Sequence, residues 1–347
     1  MKKLRVGVIG LGMGRGHAMG YQAHPAAEVV ALADIDEARL KAVGKELSVK
    51  NLYPSAEEML KTEQLDVVSV ATPNKYHCPL TIAALRAGCH VLCEKPMAMN
   101  AEEARQMLDA AGQAGRRLMI NFSFRFNDVA QALKAEVDAG ALGDVYFART
   151  VWLRRRGLPR FGGWFGQKEL SGGGPLIDLG VHRIDLALWL MGYPKPVWVM
   201  GSAYDHIASD LARKEGKAFD VEDFAVGLVK FDNGATLEAE ASWASYIGER
   251  ELMETRLLGT KGGLLYKNIG EGYEFEAQVF SERSGYHWDG RLHSVGTTAK
   301  GAMHCFIESI VTDKPHIATG EEGLIVMEFL DALYKSAATG EPVRISR

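Results

Sequence analysis

The sequence predicts an α/β protein. A doubly wound parallel sheet is expected in residues 1–121, and an α+β region with antiparallel strand pairing in residues 122–347. Three observations carry this reading. Up to Asn121, short β-branched runs alternate with longer amphipathic ones, as βαβ units do when helices cover both faces of a parallel sheet. Beyond Asn121 the strand-like runs follow one another closely. At 347 residues the chain also exceeds what one hydrophobic core ordinarily supports.

Taken in order, 4–9, 29–33, 67–70, 90–93 and 118–120 read as strands, and 37–47, 81–87 and 101–114 as helices between them. In the second region 129–139 reads as a helix, and 145–153, 197–204, 224–231 and 236–243 as strands. Leu237, Ala239, Ala241 and Trp243 alternate with Thr236, Glu238, Glu240 and Ser242, and Asp232-Asn233-Gly234 supplies a turn. That pattern is an antiparallel hairpin with one buried face. A late helix, 323–337, closes the chain.

Composition narrows the class. Apolar residues make up 47% and charged residues 24%, the balance of a globular enzyme or binding protein. A net charge of −4 offers no basic surface to phosphate backbones, so no nucleic-acid partner is expected. Cys78, Cys89, Cys93 and Cys305 form neither a CxxC pair nor a disulfide-like spacing. They read as reduced thiols of a cytoplasmic protein, and no metal is expected. The start, MKKLRVGVIGLGMG, sets basic residues ahead of an apolar run as a secretory signal does, but the run is short and rich in glycine. No stretch approaches the ~18 apolar residues of a membrane span, and no membrane partner is expected.

VGVIGLGMGRGH lies where the first strand meets its helix. Glycines at such a turn let backbone approach a pyrophosphate, and the helix start offers N–H groups and a positive dipole end. Gly10 and Gly12 satisfy the first two positions of GxGxxG; the third falls at Arg15, between Gly14 and Gly16. Asp34 ends the second strand 24 residues beyond Gly10, near the ~20 expected of an acid that binds the adenosine ribose. A carboxylate there accepts from the 2′-hydroxyl and repels a 2′-phosphate, which favours NAD over NADP. The bland alternative is that Asp34 or Asp36 caps the next helix.

ATPNKYHCPL (71–80) and HVLCEKPMA (90–98) follow the next two strands, at the edge where ligands of open α/β sheets bind. GGGPLIDLGVHRIDLALWL (172–190) then sets Asp178, His182 and Asp185 four and three apart within an almost wholly apolar run. Read as a helix, that spacing puts all three on one face. Burying a carboxylate beside an imidazole is costly without compensation from partners or function.

The glycine turn, Asp34, ATPN with His77, EKP, NFSFRF and GGGPLIDLGVHRID occur in the order found in the Gfo/Idh/MocA oxidoreductases, which the chain resembles over essentially its full length. The resemblance implies a Rossmann dinucleotide-binding domain at 1–121. It implies a substrate-binding and oligomerisation domain at 122–347, with a large, mainly antiparallel open sheet and hence a homodimer or homotetramer. It assigns Lys95, Asp178 and His182 as catalytic. Thr72, Pro73, Asn74, His77, Glu94, Lys95 and Asn121 would line NAD, with Gly10, Gly12, Met13 and Gly14 at the pyrophosphate and Trp164 near the nicotinamide. The turn is one residue tighter than the commonest family form, which leaves open which N–H groups of residues 12–15 meet the pyrophosphate. Family members mostly act on sugars and polyols, inositols among them.

With these roles the polar residues of 172–190 make chemical sense. An alcohol that loses hydride must also lose its hydroxyl proton, and imidazole is the side chain that titrates nearest neutrality. His182 is the expected base, Asp178 orients it, and Lys95 stabilises the developing alkoxide. Gly172–Gly174 are expected to let backbone approach the cofactor, and Pro175 suits a helix start. Asp185 reads as structural, tied to Arg183 or a neighbouring strand. Arg154 and Arg156, in LRRRGLPRFGGWF, are candidate substrate ligands, with a solvated or subunit-contacting loop as the alternative. The segment 284–296 reads as a lid, and His287, His293 and His304 are too scattered to suggest metal ligands.

The leading functional reading is an NAD-dependent dehydrogenase of a secondary hydroxyl on a sugar, glycoside or cyclitol. Two others stand beside it. One is glycoside cleavage by transient oxidation and elimination on the same cofactor. The other is a dinucleotide- or sugar-sensing regulator without catalysis, which has no reason to keep Lys95, Asp178 and His182 together.

Overall fold

A computed structural model describes residues 3–293 and 300–345. The chain divides into two compact units, 1–123 with 300–327, and 124–299 with 328–347. A contiguous division near residue 121 therefore misses a return of the chain to the first unit. The physical reason is packing on its last strand: Ile120 N–H donates to Ala318 O (2.8 Å), and a Cβ on Gly320 would lie 2.7 Å from Leu108. The helix Ala302–Thr312 sets Met303 against Gly20 of the first helix. An apolar helical pattern late in the chain does not say which core it joins.

In the first unit β1 (Leu4–Ile9), β2 (Ala27–Ala33), β3 (Asn51–Tyr53), β4 (Val67–Val70), β5 (His90–Cys93) and β6 (Leu118–Ile120) form one parallel sheet of order β3-β2-β1-β4-β5-β6. β4 and β6 are buried throughout, as expected of parallel strands that carry helices on both faces. The strand order reverses between β1 and β4, the place where a doubly wound sheet opens a crevice. β3 was not legible in the sequence: it is three residues long and lies at the sheet edge. Helices connect the strands and take the expected ends. Asp36 caps Glu37–Glu46 by accepting from Ala38 and Arg39 N–H, and Asn100 caps Ala101–Ala114, which ends on Gly115 at φ +59°.

The second unit is built on β7 (Val145–Arg154), β8 (Pro196–Tyr204), β9 (Phe224–Phe231), β10 (Thr236–Ser242), β11 (Glu251–Gly259), β12 (Gly262–Asn268), β13 (Phe275–Arg283), β14 (Tyr286–Leu292) and β15 (Val343–Arg344). Their order is β14-β13-β12-β11-β7-β10-β9-β8-β15, and every pairing is antiparallel except β7 with β10. The expected β9–β10 hairpin is present, with Ala239 opposite Gly227, and Gly234 takes φ +86° in its turn. The expected lid is corrected. Residues 284–292 form a tight turn and the edge strand β14, whose residues are exposed up to Leu292 although Tyr286, Trp288 and Leu292 alternate with polar ones; residues 294–296 lie outside the described residues.

The segment 172–190 is helical but not a single α-helix. Leu176–Gly180 is a π-turn, and the α-helix runs Val181–Leu190. The π-turn precedes the regular helix, and the three polar residues divide by burial: Asp178 and His182 are half-buried, whereas Asp185 is fully buried. Asp185 turns inward, where both its oxygens meet Arg125 (2.8 Å from Nε, 2.5 Å from Nη2) and Tyr193 OH donates at 2.7 Å. Arg125 and Asp185 are both fully buried. Arg183 is not the partner of Asp185. Its guanidinium lies among the rings of Phe124 (4.8 Å), Phe275 (5.0 Å), Tyr266 (5.5 Å) and Trp152 (5.8 Å), and burial pushes its pKa down to about 10. Removing one member of a buried pair strands the other charge. Asp185→Asn should therefore destabilise the protein by about 3–5 kcal/mol in urea unfolding, while the double change Arg125→Met, Asp185→Leu loses much less.

Candidate active site

In the first unit the functional residues begin at one edge. Gly10 N–H donates to Ala33 O (2.8 Å), Ala71 N–H to Ile9 O (2.8 Å), Glu94 N–H to Val70 O (2.9 Å) and Asn121 N–H to Cys93 O (2.8 Å). The strand ladder thus extends one residue into each loop and holds the ATPN and EKP segments side by side. Gly10 has φ +84°, and a Cβ there would lie 2.5 Å from Ala71 O, so the turn requires glycine. A Cβ on Gly14 would lie 2.8 Å from Val8. Gly12 is exposed with nothing within 4 Å of its Cβ position. The amides of Gly12 and Met13, at the start of the helix Gly14–Gln22, make no hydrogen bond among the described residues. Gly10 and Gly14 shape the turn; Gly12 and Met13 are the groups it offers to an anion.

Asp34 is buried at the end of β2. It accepts from Leu11 N–H (2.7 Å) and Asp36 N–H (2.8 Å), and Arg39 lies 3.2 Å from Oδ2. Asp36, not Asp34, is the helix cap. A carboxylate has about four acceptor sites; Arg39 Nη1 shares two of them at 3.4 and 3.2 Å from a half-exposed side chain, and these are the sites a ribose hydroxyl could take over. Thr72 Oγ1 is buried without a hydrogen-bond partner among the described residues. The open glycine, the two amides, this orphaned hydroxyl and the carboxylate fit a dinucleotide.

Glu94 is the most constrained of the set. It is 7% exposed; Oε1 accepts from His17 Nε2 (2.7 Å) and Asn121 Nδ2 (2.6 Å), and Oε2 from Lys95 N–H (3.0 Å). His17 Nδ1 in turn contacts Ser69 Oγ at 2.7 Å. Burial alone would raise the Glu94 carboxyl, but the hydrogen bonds and charges of His17, Asn121 and Lys95 outweigh it and hold the pKa at about 2. His77, expected to line the cofactor, lies between two backbone carbonyls, with Nδ1 2.7 Å from Pro96 O and Nε2 2.8 Å from Thr72 O; burial lowers its pKa, and the neutral ring donates to one of the two. It therefore braces the two loops. Pro73 leads into the short turn Asn74–Tyr76, where Asn74 is buried. Lys95 is half-buried.

In the second unit, Asp178 and His182 are the two positions between Gly173 and Leu190 that are not fully buried. Trp243 Nε1 donates to Asp178 Oδ2 at 3.0 Å. His182 packs edge-on to Phe124 (5.2 Å) and beside Trp152 (5.6 Å). The helix start is held by Glu222, which accepts from Gly174 N–H (2.8 Å), Leu176 N–H (3.1 Å) and Tyr334 OH (2.8 Å). A Cβ on Gly173 would run into Tyr334, and one on Gly174 into the Glu222 carbonyl. Close packing inside the unit requires these two glycines, and Gly172 takes φ +84°. Trp164 stacks on Phe165 at 3.8 Å.

The arginines are engaged. Arg154 is paired with Glu251 (2.7 Å), which also takes Trp152 Nε1 (2.8 Å), and Arg156 lies over the Tyr246 ring at 4.5 Å. His304 comes together with His24 and Glu308, their ligand-type atoms within 4.8 Å, which no sequence spacing suggested. Ala26 N–H donates to His24 Nδ1 (3.1 Å), which leaves the proton on Nε2 for Glu308 (2.9 Å). A metal-ligating nitrogen needs the opposite tautomer, so the cluster is a hydrogen bond from the bend after the first helix to the helix Ala302–Thr312. No helix among the described residues is long and apolar enough to cross a membrane.

The fold and this edge define a dinucleotide-dependent oxidoreductase. Residues 4–122 match the oxidoreductase family with an NAD-binding Rossmann fold, and residues 130–265 match the GFO/IDH/MocA C-terminal domain. The chain is 33% identical to the D-glucoside 3-dehydrogenase of Escherichia coli (strain K12), over 99% of this chain and 97% of that one. It is 26% identical to the myo-inositol 2-dehydrogenase of Thermotoga maritima, over 99% and 98%. It is also similar to the crystal structure of GenD2 from gentamicin A biosynthesis in complex with NAD, at 28% identity and TM-score 0.82, over 100% of this chain and 97% of that one. The chain belongs to the Gfo/Idh/MocA oxidoreductases and is an NAD-binding enzyme acting on CH–OH groups.

The Glu94 carboxylate also has a pH signature. Its folded value, about 2, lies below its ordinary 4.5, so its contribution to stability is complete above 4.5 and is lost as pH falls towards 2. Urea unfolding of wild type and Glu94→Gln should show a wild-type advantage at neutral pH that shrinks through this window.

Proposed function

We propose that the enzyme is an NAD-dependent dehydrogenase of a secondary hydroxyl on a sugar, glycoside or cyclitol, and that D-glucosides are among its substrates. The observation that carries this is the exposure pattern of the helical segment Gly173–Leu190, where Asp178 and His182 alone open outwards from buried surroundings. The similarity to a D-glucoside 3-dehydrogenase along nearly the whole chain supports the choice of substrate class.

His182 accepts the hydroxyl proton of the substrate. Asp178, held by Trp243, stabilises the imidazolium that results, since a nearby carboxylate favours the charged form. Lys95 donates to the same oxygen and stabilises the negative charge that develops there. Bound NAD supplies the hydride acceptor. The Gly12 and Met13 amides hold its pyrophosphate, and Asp34 its adenosine ribose. Asp34 also neutralises Arg39, the cation that would otherwise favour a 2′-phosphate.

The test is NADH formation with a panel of D-glucosides, hexoses and inositols. Turnover supports the reading; absence of turnover with NAD bound counts against it. Aglycone release without accumulation of NADH would indicate cleavage by oxidation and elimination instead. Lys95→Ala and His182→Ala should each lower kcat/KM by about 10²–10⁴-fold, with the NAD dissociation constant of His182→Ala unchanged in fluorescence titration. Asp34→Ser should release Arg39 and shift the ratio of kcat/KM values towards NADP by roughly 10-fold, or about 1.4 kcal/mol.

A further inference from the structure

We propose that His17 and His77 are positioning residues that hold Lys95 from its two sides. The inference rests on the reading of Lys95 given above. Lysine carries its ammonium on a flexible four-carbon stem, so where that charge can act is decided first by where its backbone is held. Each neighbour of Lys95 is gripped by a buried imidazole from a different element. On one side is Glu94, bonded to His17 at 2.7 Å; His17 comes from the first helix and is 3% exposed. On the other is Pro96, whose carbonyl lies 2.7 Å from His77 Nδ1; His77 starts the helix after β4 and is 1% exposed. The Lys95 amide closes the arrangement by donating to Glu94 Oε2 at 3.0 Å.

Each clamp is also anchored beyond the EKP segment. His17 reaches Ser69 of β4 (2.7 Å), and His77 reaches Thr72 O in the loop after β4 (2.8 Å). The segment that bears Lys95 is thereby tied to β4 and the glycine-turn helix through side chains as well as through the strand ladder. Buried polar groups are costly unless fully satisfied; a phenylalanine of similar volume would fill either space but leave Glu94 one donor short, or Pro96 O without its contact. A requirement for a defined lysine position accounts for imidazoles here: a misplacement of about 1 Å in a catalytic group can lower a rate by roughly 10²-fold.

The experiment is a set of double-mutant cycles between Lys95→Ala and each of His17→Phe and His77→Phe, with kcat, KM and the NAD dissociation constant measured for every folded variant. His17→Gln, which keeps an N–H donor towards Glu94, is included as a milder change and a test of rescue. In the Lys95 background each phenylalanine variant should lower kcat by roughly 10-fold or more, with KM for the glucoside within about twofold, because the lost interaction belongs to the transition state. In the Lys95→Ala background the same changes should cost little further, and His17→Gln should recover part of the loss. Equal losses in both backgrounds would make the histidines merely structural and overturn the inference. If Lys95→Ala itself keeps wild-type kcat, the catalytic reading of Lys95 has failed. The positioning is then decided without turnover by isotope-labelled reductive methylation: the Lys95 resonance, identified by its loss in Lys95→Ala, must shift in both histidine variants, and an unmoved resonance refutes the clamp.

Discussion

The first unit is organised around one buried negative charge. Glu94 sits at the carboxyl end of β5, where the backbone ladder is ending and no helix yet takes over. An ionised carboxylate in that position is tolerable only if its lone pairs are filled, and they are filled from three directions: an imidazole from the first helix, an amide side chain from beyond β6, and the next residue's own N–H. The glycine-turn helix, β5 and the segment after β6 are thereby locked to one another. The same edge presents Gly12, Asp34, Thr72 and Lys95, so the dinucleotide groups share a frame that a single charge holds in register.

The second unit solves a similar problem in a similar way. Its helix start is satisfied by Glu222, a buried carboxylate that takes two backbone N–H groups and a tyrosine hydroxyl. Burial raises its pKa, while those hydrogen bonds pull in the other direction. An anion at a helix start is favoured by the helix dipole as well as by the donors. One turn further on, Asp178 lies in the π-turn, and Asp185 follows in the regular helix. Asp178 stays half-exposed on Trp243, and Asp185 goes inward to Arg125. Partner and burial separate two aspartates that sequence spacing would place together.

Much of the molecule was legible in the sequence, and the reason is periodicity. β1, β4, β5 and β6 and the helix Ala101–Ala114 fall where the apolar pattern puts them, because a strand buried on both faces and an amphipathic helix each leave a strong one-dimensional trace. Edge elements do not. β3 and β14 lack a buried face, and β11 to β13 lie in a stretch whose mixed polar and apolar residues show their two faces only once the partner strands are known. Among site residues, the glycine turn, Asp34, Glu94 and Lys95 stand in recognisable local motifs. His17 was missed although it follows the glycine turn directly; a polar residue on the buried side of that helix was the available sign. Arg39 and Arg125 had no local sign, because each is defined by a partner in another element.

What the sequence determined by itself is what depends on neighbours along the chain: the alternation of strand and helix, the glycine turn with its distant acid, and the presence of lysine, aspartate and histidine in family order. What the tertiary structure decided is which polar groups meet. It gave Asp185 to Arg125, His77 to a place between two loop carbonyls, Gly173 and Gly174 to close packing, and residues 300–327 to the first unit. The division has a physical cause. Propensity and periodicity act over a few residues, whereas satisfying a buried donor, acceptor or charge is a three-dimensional condition that binds residues far apart in the chain, as Asn121 and His17, 104 positions apart, are bound around Glu94.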